Sequence, residues 1–514
     1  MNAAQILLET GRADALAITS ADGDLSYGAL RDAVARAGAA WTAMGVAPGE
    51  RVIIFAPDSN AWVVAYLGAI WAGAVAVGVN CRLPIAELVP LLVDSEAAAI
   101  WCEDAQAASI CAAAVTMNRP PRIAVATSEH DTGWLGRLER AQPMAAAARD
   151  AEDPALWIGT SGTTGRPKAA IHAQRVVVNA HSFARDLLGL THSDRLYSSS
   201  KLFFAYALGN SLFAGLRAGA TVILDRDWPT PERVAEVVAR FRPTLLFSVP
   251  TLYHKMLHAG VAEALVGSGV RSFVSAGEAL PPVVRRAWEQ ATGRRLISGY
   301  GTSETLCLML YGDRDDGTFA PTPLTQVCYP EPGESGQAQA PERIRIHNTT
   351  VALGYWRRPQ EQADGFADGW FSPCDLFLRH ADGRLEFTGR NDDMMKIAGQ
   401  WVSTVWVEQA LAEACGGSIQ QIAAVSVTAD DGLAALSVLG VAQPGQTELA
   451  RQRLAAGIEA LPKHRRPRWV HWVEALPMTY TGKVQRSRLR QLHEVAVAAA
   501  RSEAPSRAAE KQGV

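Results

Sequence analysis

Thr160-Ser-Gly-Thr-Thr-Gly-Arg-Pro-Lys168 follows the apolar run Leu156-Trp-Ile158, and this stretch decides the reading of the chain. Its two glycines let the backbone turn tightly and bring N–H groups to an anion, with four hydroxyls and two cations around it. That composition suits a polyphosphate. It is not a Walker A loop, because the Gly-x-x-x-x-Gly-Lys spacing is missing and Pro167 separates Arg166 from Lys168. A Ser/Thr/Gly linker is the bland alternative, but a linker does not ordinarily follow an apolar strand or end in Arg and Lys. The stretch therefore reads as a phosphate-binding loop contributed by Thr160, Ser161, Gly162, Thr163, Thr164, Gly165 and Lys168.

Outward from the loop, apolar β-rich runs alternate with Ala-rich helical ones. Arg51-Val-Ile-Ile-Phe-Ala56 reads as a strand, followed by a helix from Asn60 to Trp71 and a strand near Val75. Ala220-Thr-Val-Ile-Leu224 is another strand, and Pro231 to Phe241 a helix with Thr230 as its N-cap. Leu245-Leu-Phe-Ser-Val249, Ser272-Phe-Val-Ser275 and Arg295-Leu-Ile-Ser298 continue the series. Such alternation predicts an α/β fold with helices layered on sheets. Residues 311–342 are rich in Pro, Gly and Asp and read as an irregular surface stretch. After Gly389-Arg-Asn-Asp-Asp-Met394 the composition changes. A helical run at 405–414 and strand-like runs at 422–427 and 434–441 predict a small α+β domain.

At 514 residues the chain is too long for one compact core. The expected division is a large N-terminal domain of layered α/β sheets over 1–390, a small mobile α+β C-terminal domain over 391–495, and a fraying tail over 496–514. Hydrophobic residues make up 48% and charged residues 20%, as in soluble globular proteins. The 49 basic and 52 acidic residues give a net charge of -3, so electrostatics offers no reason to expect nucleic acid or an anionic membrane as partner. Seven scattered cysteines without a Cys-x-x-Cys pair imply free thiols in a reducing cytoplasm, and the eleven histidines form no ligand motif for a tightly bound transition metal. The first residues lack the basic and apolar regions of a secretory signal. Residues 61–79 are uncharged and long enough to span a bilayer, but Gly68, Gly73, Gly78 and the alternation from Ala74 to Val79 read instead as a buried helix turning into a strand.

With the loop as anchor, further motifs fall in order. They are Ser275-Ala-Gly-Glu278, Tyr300-Gly-Thr-Ser-Glu304, Gly369-Trp-Phe-Ser-Pro-Cys-Asp375, Gly389-Arg-Asn-Asp-Asp-Met-Met-Lys-Ile-Ala-Gly399 and Thr481-Gly-Lys-Val-Gln-Arg486. Together they resemble the signatures of the adenylate-forming superfamily of acyl-CoA synthetases, peptide-synthetase adenylation domains and firefly luciferase, across nearly the whole chain. The resemblance implies ATP and coenzyme A as co-substrates and Mg²⁺ held by Glu304, whose hard carboxylate oxygens suit that ion. It implies further that Tyr300 lies against adenine beside the turn Ala276-Gly277-Glu278, that Gly301 and Thr302 complete the nucleotide site, and that Ser303 binds the α-phosphate. Asp375 would accept the ribose hydroxyls with Arg390 close by. Lys483 would bridge carboxylate and α-phosphate as charge develops. Asp392 matches the hinge, and Lys396 and Gly399 the coenzyme A tunnel. The implied chemistry is attack of a carboxylate on the α-phosphate of ATP, followed by thiolysis of the acyl-adenylate.

Lys201-Leu-Phe-Phe-Ala-Tyr-Ala-Leu-Gly-Asn-Ser211 is similar to the matching stretch of benzoate–CoA ligases and their aminobenzoate relatives. Ala205, Tyr206, Gly301 and Leu308 match acyl-pocket positions, and the adjacent aromatics suit a flat ring. The implied partner is a small aromatic carboxylic acid, with no membrane span, and a homodimer is one candidate assembly. Several positions depart from the family pattern. Cys374 stands where Gly precedes the ribose-binding Asp, Phe371 replaces Tyr, and Cys307 stands where benzoate–CoA ligases carry His. Met478 and Tyr480 also differ, and residues 330–348 are shortened and lack a Gly-Glu-Leu run. Medium-chain or alicyclic acids and a carrier-protein acceptor stay open, and a non-catalytic adenylate-binding module is the reading from another class.

Overall fold

The computed structural model describes residues 1–126, 133–160, 168–329, 341–390, 394–397, 400–429, 433–478, 484–486 and 488–498. The chain divides into two compact units, Met1–Tyr329 with Arg345–Pro373, and Pro330–Ile344 with Cys374–Val514.

The first unit is built on two large mixed sheets. One has nine strands, in the order Ala320–Pro321, Leu310–Gly312, Leu296–Tyr300, Ser272–Ser275, Leu245–Ser248, Arg195–Ser198, Thr221–Ile223, Leu16–Ser20, Gly23–Ser26. Leu296–Tyr300 through Leu16–Ser20 run parallel, and antiparallel strands close both edges. The other has seven, ordered Gly354–Tyr355, Lys168–Ala173, Pro154–Thr160, Val75–Gly78, Arg51–Phe55, Ala99–Cys102, Arg122–Val125. The central strands are continuous apolar runs because helices cover them on both faces.

Helix Asn60–Trp71 is capped by the Ser59 side chain, which accepts from the Trp62 amide. It ends before Gly73 and turns into strand Val75–Gly78, as the glycine spacing predicts. At 12 residues it falls short of a bilayer, and no helix among the described residues is long and apolar enough to cross one. Helix Tyr27–Ala43 packs on Asn60–Trp71 and also touches strand Leu16–Ser20, so helices of one sheet lie against the other. Helix Pro231–Phe241 begins at its Thr230 cap and buries Val234, Val237, Val238 and Phe241 in a core with Leu246, Phe273 and Trp288.

In the second unit, Glu342–Arg343, Asp375–Arg379 and Leu385–Arg390 form an antiparallel sheet. Ile419–Thr428, Ala434–Ala442 and Trp469–Trp472 form another, backed by helices Thr404–Cys415 and Thr447–Ala460. Val402, Val407, Leu411, Ala424, Val438 and Leu454 make its core.

Residues 311–342 depart from the irregular stretch expected of them. Strands Leu310–Gly312, Ala320–Pro321 and Gln326–Cys328 lie there or at its edge. Two- and three-residue strands are held by backbone pairing and are too short for a side-chain period to reveal. Residues 330–340 lie outside the described residues.

Candidate active site

Strand Pro154–Thr160 buries Ala155, Leu156, Trp157 and Ile158. It ends opposite the start of Lys168–Ala173, with Thr160 in register with Lys168. The strand pair thus fixes both ends of the glycine-rich loop; Ser161, Gly162, Thr163, Thr164 and Gly165 lie outside the described residues. Lys168 Nζ is 3.7 Å from Glu361 Oε1 and 5.5 Å from the ring centre of Tyr355. Strand Gly354–Tyr355 pairs with this same strand, Tyr355 opposite Ala170.

Strand Leu296–Tyr300 delivers the second motif. Beyond it Glu304 is 9% exposed, and the Tyr355 hydroxyl donates to its Oε1 at 2.6 Å. The Glu304 carbonyl accepts from the Ala352 amide at 2.8 Å. His172 Nε2 lies 2.8 Å from the Ser303 carbonyl; since a carbonyl only accepts, the imidazole donates. Burial lowers the His172 pKa to about 4, which keeps the ring neutral. The Thr302 amide donates to Thr305 Oγ1 at 2.9 Å, whereas the Thr302 hydroxyl is buried with no hydrogen-bond partner among the described residues. A Cβ at Gly301 would come within 2.7 Å of the Cys307 carbonyl, so the chain doubles back where only glycine fits. Leu306 takes φ 58°, an uncommon state for a bulky side chain.

The turn Ala276-Gly277-Glu278 follows strand Ser272–Ser275, the parallel neighbour of Leu296–Tyr300. Parallel order thus sets this turn beside Tyr300 at the carboxyl ends of the strands, the usual ligand edge of an open α/β sheet. Ala276 is buried, Glu278 is exposed, and Glu278 Oε2 accepts from the Thr251 hydroxyl at 2.6 Å.

The aromatic stretch opens as a short helix, Ala205–Ala207, and continues as a π-helical segment, Leu208–Phe213. π-Turns of this kind recur at functional sites, and nothing in the residue spacing announced this one. Tyr206 donates to the Val274 carbonyl at 3.0 Å and meets Phe247 edge-on at 6.1 Å. Asn210 binds the Tyr206 carbonyl at 3.1 Å and accepts the Leu308 amide at 3.2 Å. At Gly209 a Cβ would lie 2.6 Å from the Leu306 carbonyl. Asn210 thereby ties the Tyr206 backbone to Leu308, and Tyr206 also packs against the core that holds Leu308. Cys307 is buried against the Ala180 carbonyl, and burial pushes its thiol up to about 12, so it stays protonated.

In the second unit Asp375 is half-buried and in register with Arg390 across antiparallel strands. Lys396 lies on strand Met394–Ile397 opposite Trp401. A backbone bridge pairs Met478 with Val484. Asp392, Gly399 and Lys483 lie outside the described residues. Sequence reasoning missed Tyr355, His172 and Glu361. No signal marked them, because each matters only through a contact with a residue far away in the chain.

A family model described as AMP-binding enzyme matches residues 9–356. The chain belongs to the AMP-binding enzyme family. This AMP-binding enzyme is 38% identical over 512 residues to the 3-hydroxybenzoate–CoA ligase of Aromatoleum sp. (strain CIB), covering 96% of this chain and 97% of that one. Among solved structures, a benzoate CoA ligase from Burkholderia xenovorans LB400 aligns with TM-score 0.86 at 30% identity, covering 95% of this chain and 100% of that one. The anthranilate CoA ligase AuaEII, solved with anthranoyl-AMP, aligns with TM-score 0.87 at 29% identity over 97% of this chain and 98% of that one. The α/β fold and the family expected from the motifs both hold.

Proposed function

We propose that this AMP-binding enzyme is an ATP-dependent acid–CoA ligase for benzoate or a substituted benzoate. The observation that carries the reading is the interlock of two segments. The turn bearing Glu304 and the aromatic segment bearing Tyr206 are joined through Asn210 and the close approach of Gly209 to Leu306, which supports a nucleotide site next to an aryl site. The similarity to a 3-hydroxybenzoate–CoA ligase supports the same substrate class.

In the first half-reaction a carboxylate oxygen attacks the α-phosphorus of ATP, the bond to the bridging oxygen breaks, and pyrophosphate leaves. The protein contributes positioning and charge neutralisation rather than a nucleophile. The buried thiol of Cys307 suits a pocket wall rather than a nucleophile. A buried carboxylate, a buried Thr302 hydroxyl without a partner among the described residues and a half-buried lysine make a set that fits a magnesium polyphosphate. Held by Glu304, Mg²⁺ would supply neutralisation of charge on the leaving pyrophosphate. Ser303 and Lys168 bind phosphate oxygens, and Tyr300 with residues 276–278 holds the adenine. Asp375 and Arg390 hold the ribose, and Lys483 bridges carboxylate and phosphate. In the second half the thiolate of coenzyme A attacks the acyl carbon and AMP leaves. The segment around Lys396 and Gly399 serves this step after rotation about Asp392.

The test is AMP release from ATP across benzoate, its hydroxy and amino derivatives, cyclohexanecarboxylate and medium-chain acids, with and without coenzyme A. Turnover driven by aryl acids and requiring coenzyme A is expected. Turnover with aliphatic acids alone would discard the aryl pocket while keeping the chemistry.

A further inference from the structure

Two buried ionisable side chains, one contributed by each large sheet, line a small cavity of about 180 Å³ at the start of the aromatic segment. Asp58 follows strand Arg51–Phe55 and is 5% exposed; Lys201 follows strand Arg195–Ser198 and is 6% exposed. Neither is among the residues to which the chemistry above assigns a task. Burying an acid and an amine away from water carries a desolvation penalty that an apolar pair filling the same place would not. What these polar groups add is directional hydrogen bonding.

The hydrogen bonds here are specific. The Lys201 ammonium donates to the Asp225 carbonyl at 2.6 Å and to the Asp227 carbonyl. Asp225 is itself held by Arg233 at 2.6 Å. The next residue, Leu202, gives its amide to both Asp58 oxygens, at 3.1 and 3.2 Å. The Phe203 backbone then rests against strand Val75–Gly78, where a Cβ at Gly78 would stand 3.2 Å from the Phe203 α-carbon. The Phe204 amide closes the turn on the Lys201 carbonyl at 2.9 Å. Ala205 begins the helix immediately afterwards. The turn is therefore pinned from both sheets at successive residues, Lys201 and Leu202, four and three positions before Ala205.

We propose that Asp58 and Lys201 are positioning residues which, by pinning this turn between the two sheets, set where Ala205 and Tyr206 stand and so which aromatic acids the site accepts. This rests on the reading of Ala205 and Tyr206 as acyl-pocket residues. The pair acts through backbone hydrogen bonds, so its loss moves the acid site and leaves the nucleotide site in place.

The experiment measures KM for benzoate, 3-hydroxybenzoate and ATP, with kcat and melting temperature, in full-length D58A, D58N, K201M and A205V. D58A and K201M are expected to raise the acid KM about tenfold and to shift the benzoate to 3-hydroxybenzoate ratio of kcat/KM by about threefold or more, with ATP KM within about twofold. D58N keeps an acceptor for the Leu202 amide and is expected to recover most of the acid KM, a rescue that a merely structural role would not give. If D58A does not fold, K201M, which keeps an apolar stem, carries the test. Unchanged acid KM and selectivity in folded D58A or K201M, or an equal rise in ATP KM, overturns the proposal when A205V does alter selectivity. If A205V is silent as well, the acyl-pocket reading falls and the proposal falls with it.

Discussion

Tyr355 reaches Glu304 from a segment 51 residues away, and the 2.6 Å bond fixes one oxygen of a carboxylate that is mostly withdrawn from solvent. Removing the hydroxyl leaves that carboxylate short of a donor, a loss of about 1–3 kcal/mol for a buried group. Tyr355→Phe is therefore expected to lower kcat/KM for ATP about tenfold and to raise the Mg²⁺ concentration needed for half-maximal rate, with acid KM little changed. Steady-state kinetics at varied Mg²⁺, with calorimetric titration of MgATP, checks both halves. His172 carries a pH consequence. Its pKa falls from 6.5 in the unfolded chain to about 4 in the fold. The unfolded state thus binds more protons in that window, and stability is fully present above 6.5 and lost as pH falls towards 4. The shift corresponds to about 3 kcal/mol. His181, also pushed to about 4 by burial, acts in the same direction. Denaturant melts at pH 7 and pH 5 should show His172→Gln with a smaller pH penalty than the parent, while it keeps a donor for the Ser303 carbonyl.

Among elements, the π-helical segment Leu208–Phe213 bears most directly on the site. Gly209 lets it close on the backbone of Leu306, so an added methyl meets a carbonyl that cannot step aside. Gly209→Ala should cost about 1–3 kcal/mol of stability and raise acid KM more than ATP KM, readable from one melt and two titrations. Helix Asn60–Trp71 offers a contrast. Its Ser59 cap is 3% exposed and accepts the Trp62 amide at 3.0 Å. Ser59→Ala is expected to cost about 1 kcal/mol in denaturant unfolding with selectivity between acids unchanged. A selectivity change there would place this helix in the acid site.

At the scale of the whole molecule, the proposed mechanism assigns Lys483 to adenylation and Lys396 to thioester formation, and single substitutions should separate the two steps. Lys483→Ala is expected to abolish pyrophosphate release while the melting temperature holds. Lys396→Ala is expected to spare pyrophosphate release and slow thioester formation. Separate assays of the two half-reactions check this pair, and equal damage to both halves by either variant would contradict the division.

The sequence by itself determined the alternation of helix and strand, the capped helix Pro231–Phe241 and the order of the motifs. Each of these is written in neighbouring residues, where period, cap and turn chemistry act over a few positions. Only the tertiary structure decided that Tyr355 meets Glu304, that His172 holds the Ser303 carbonyl from 131 residues away, and that Asp58 pins Leu202 across 144. It also decided that two- and three-residue strands in 310–328 join the sheets, and that 208–213 opens into a π-turn. The physical reason is common to all of them. Hydrophobic periodicity records which face of an element is buried, but a hydrogen bond between distant segments depends on the register and packing of both, and neither segment carries that information alone.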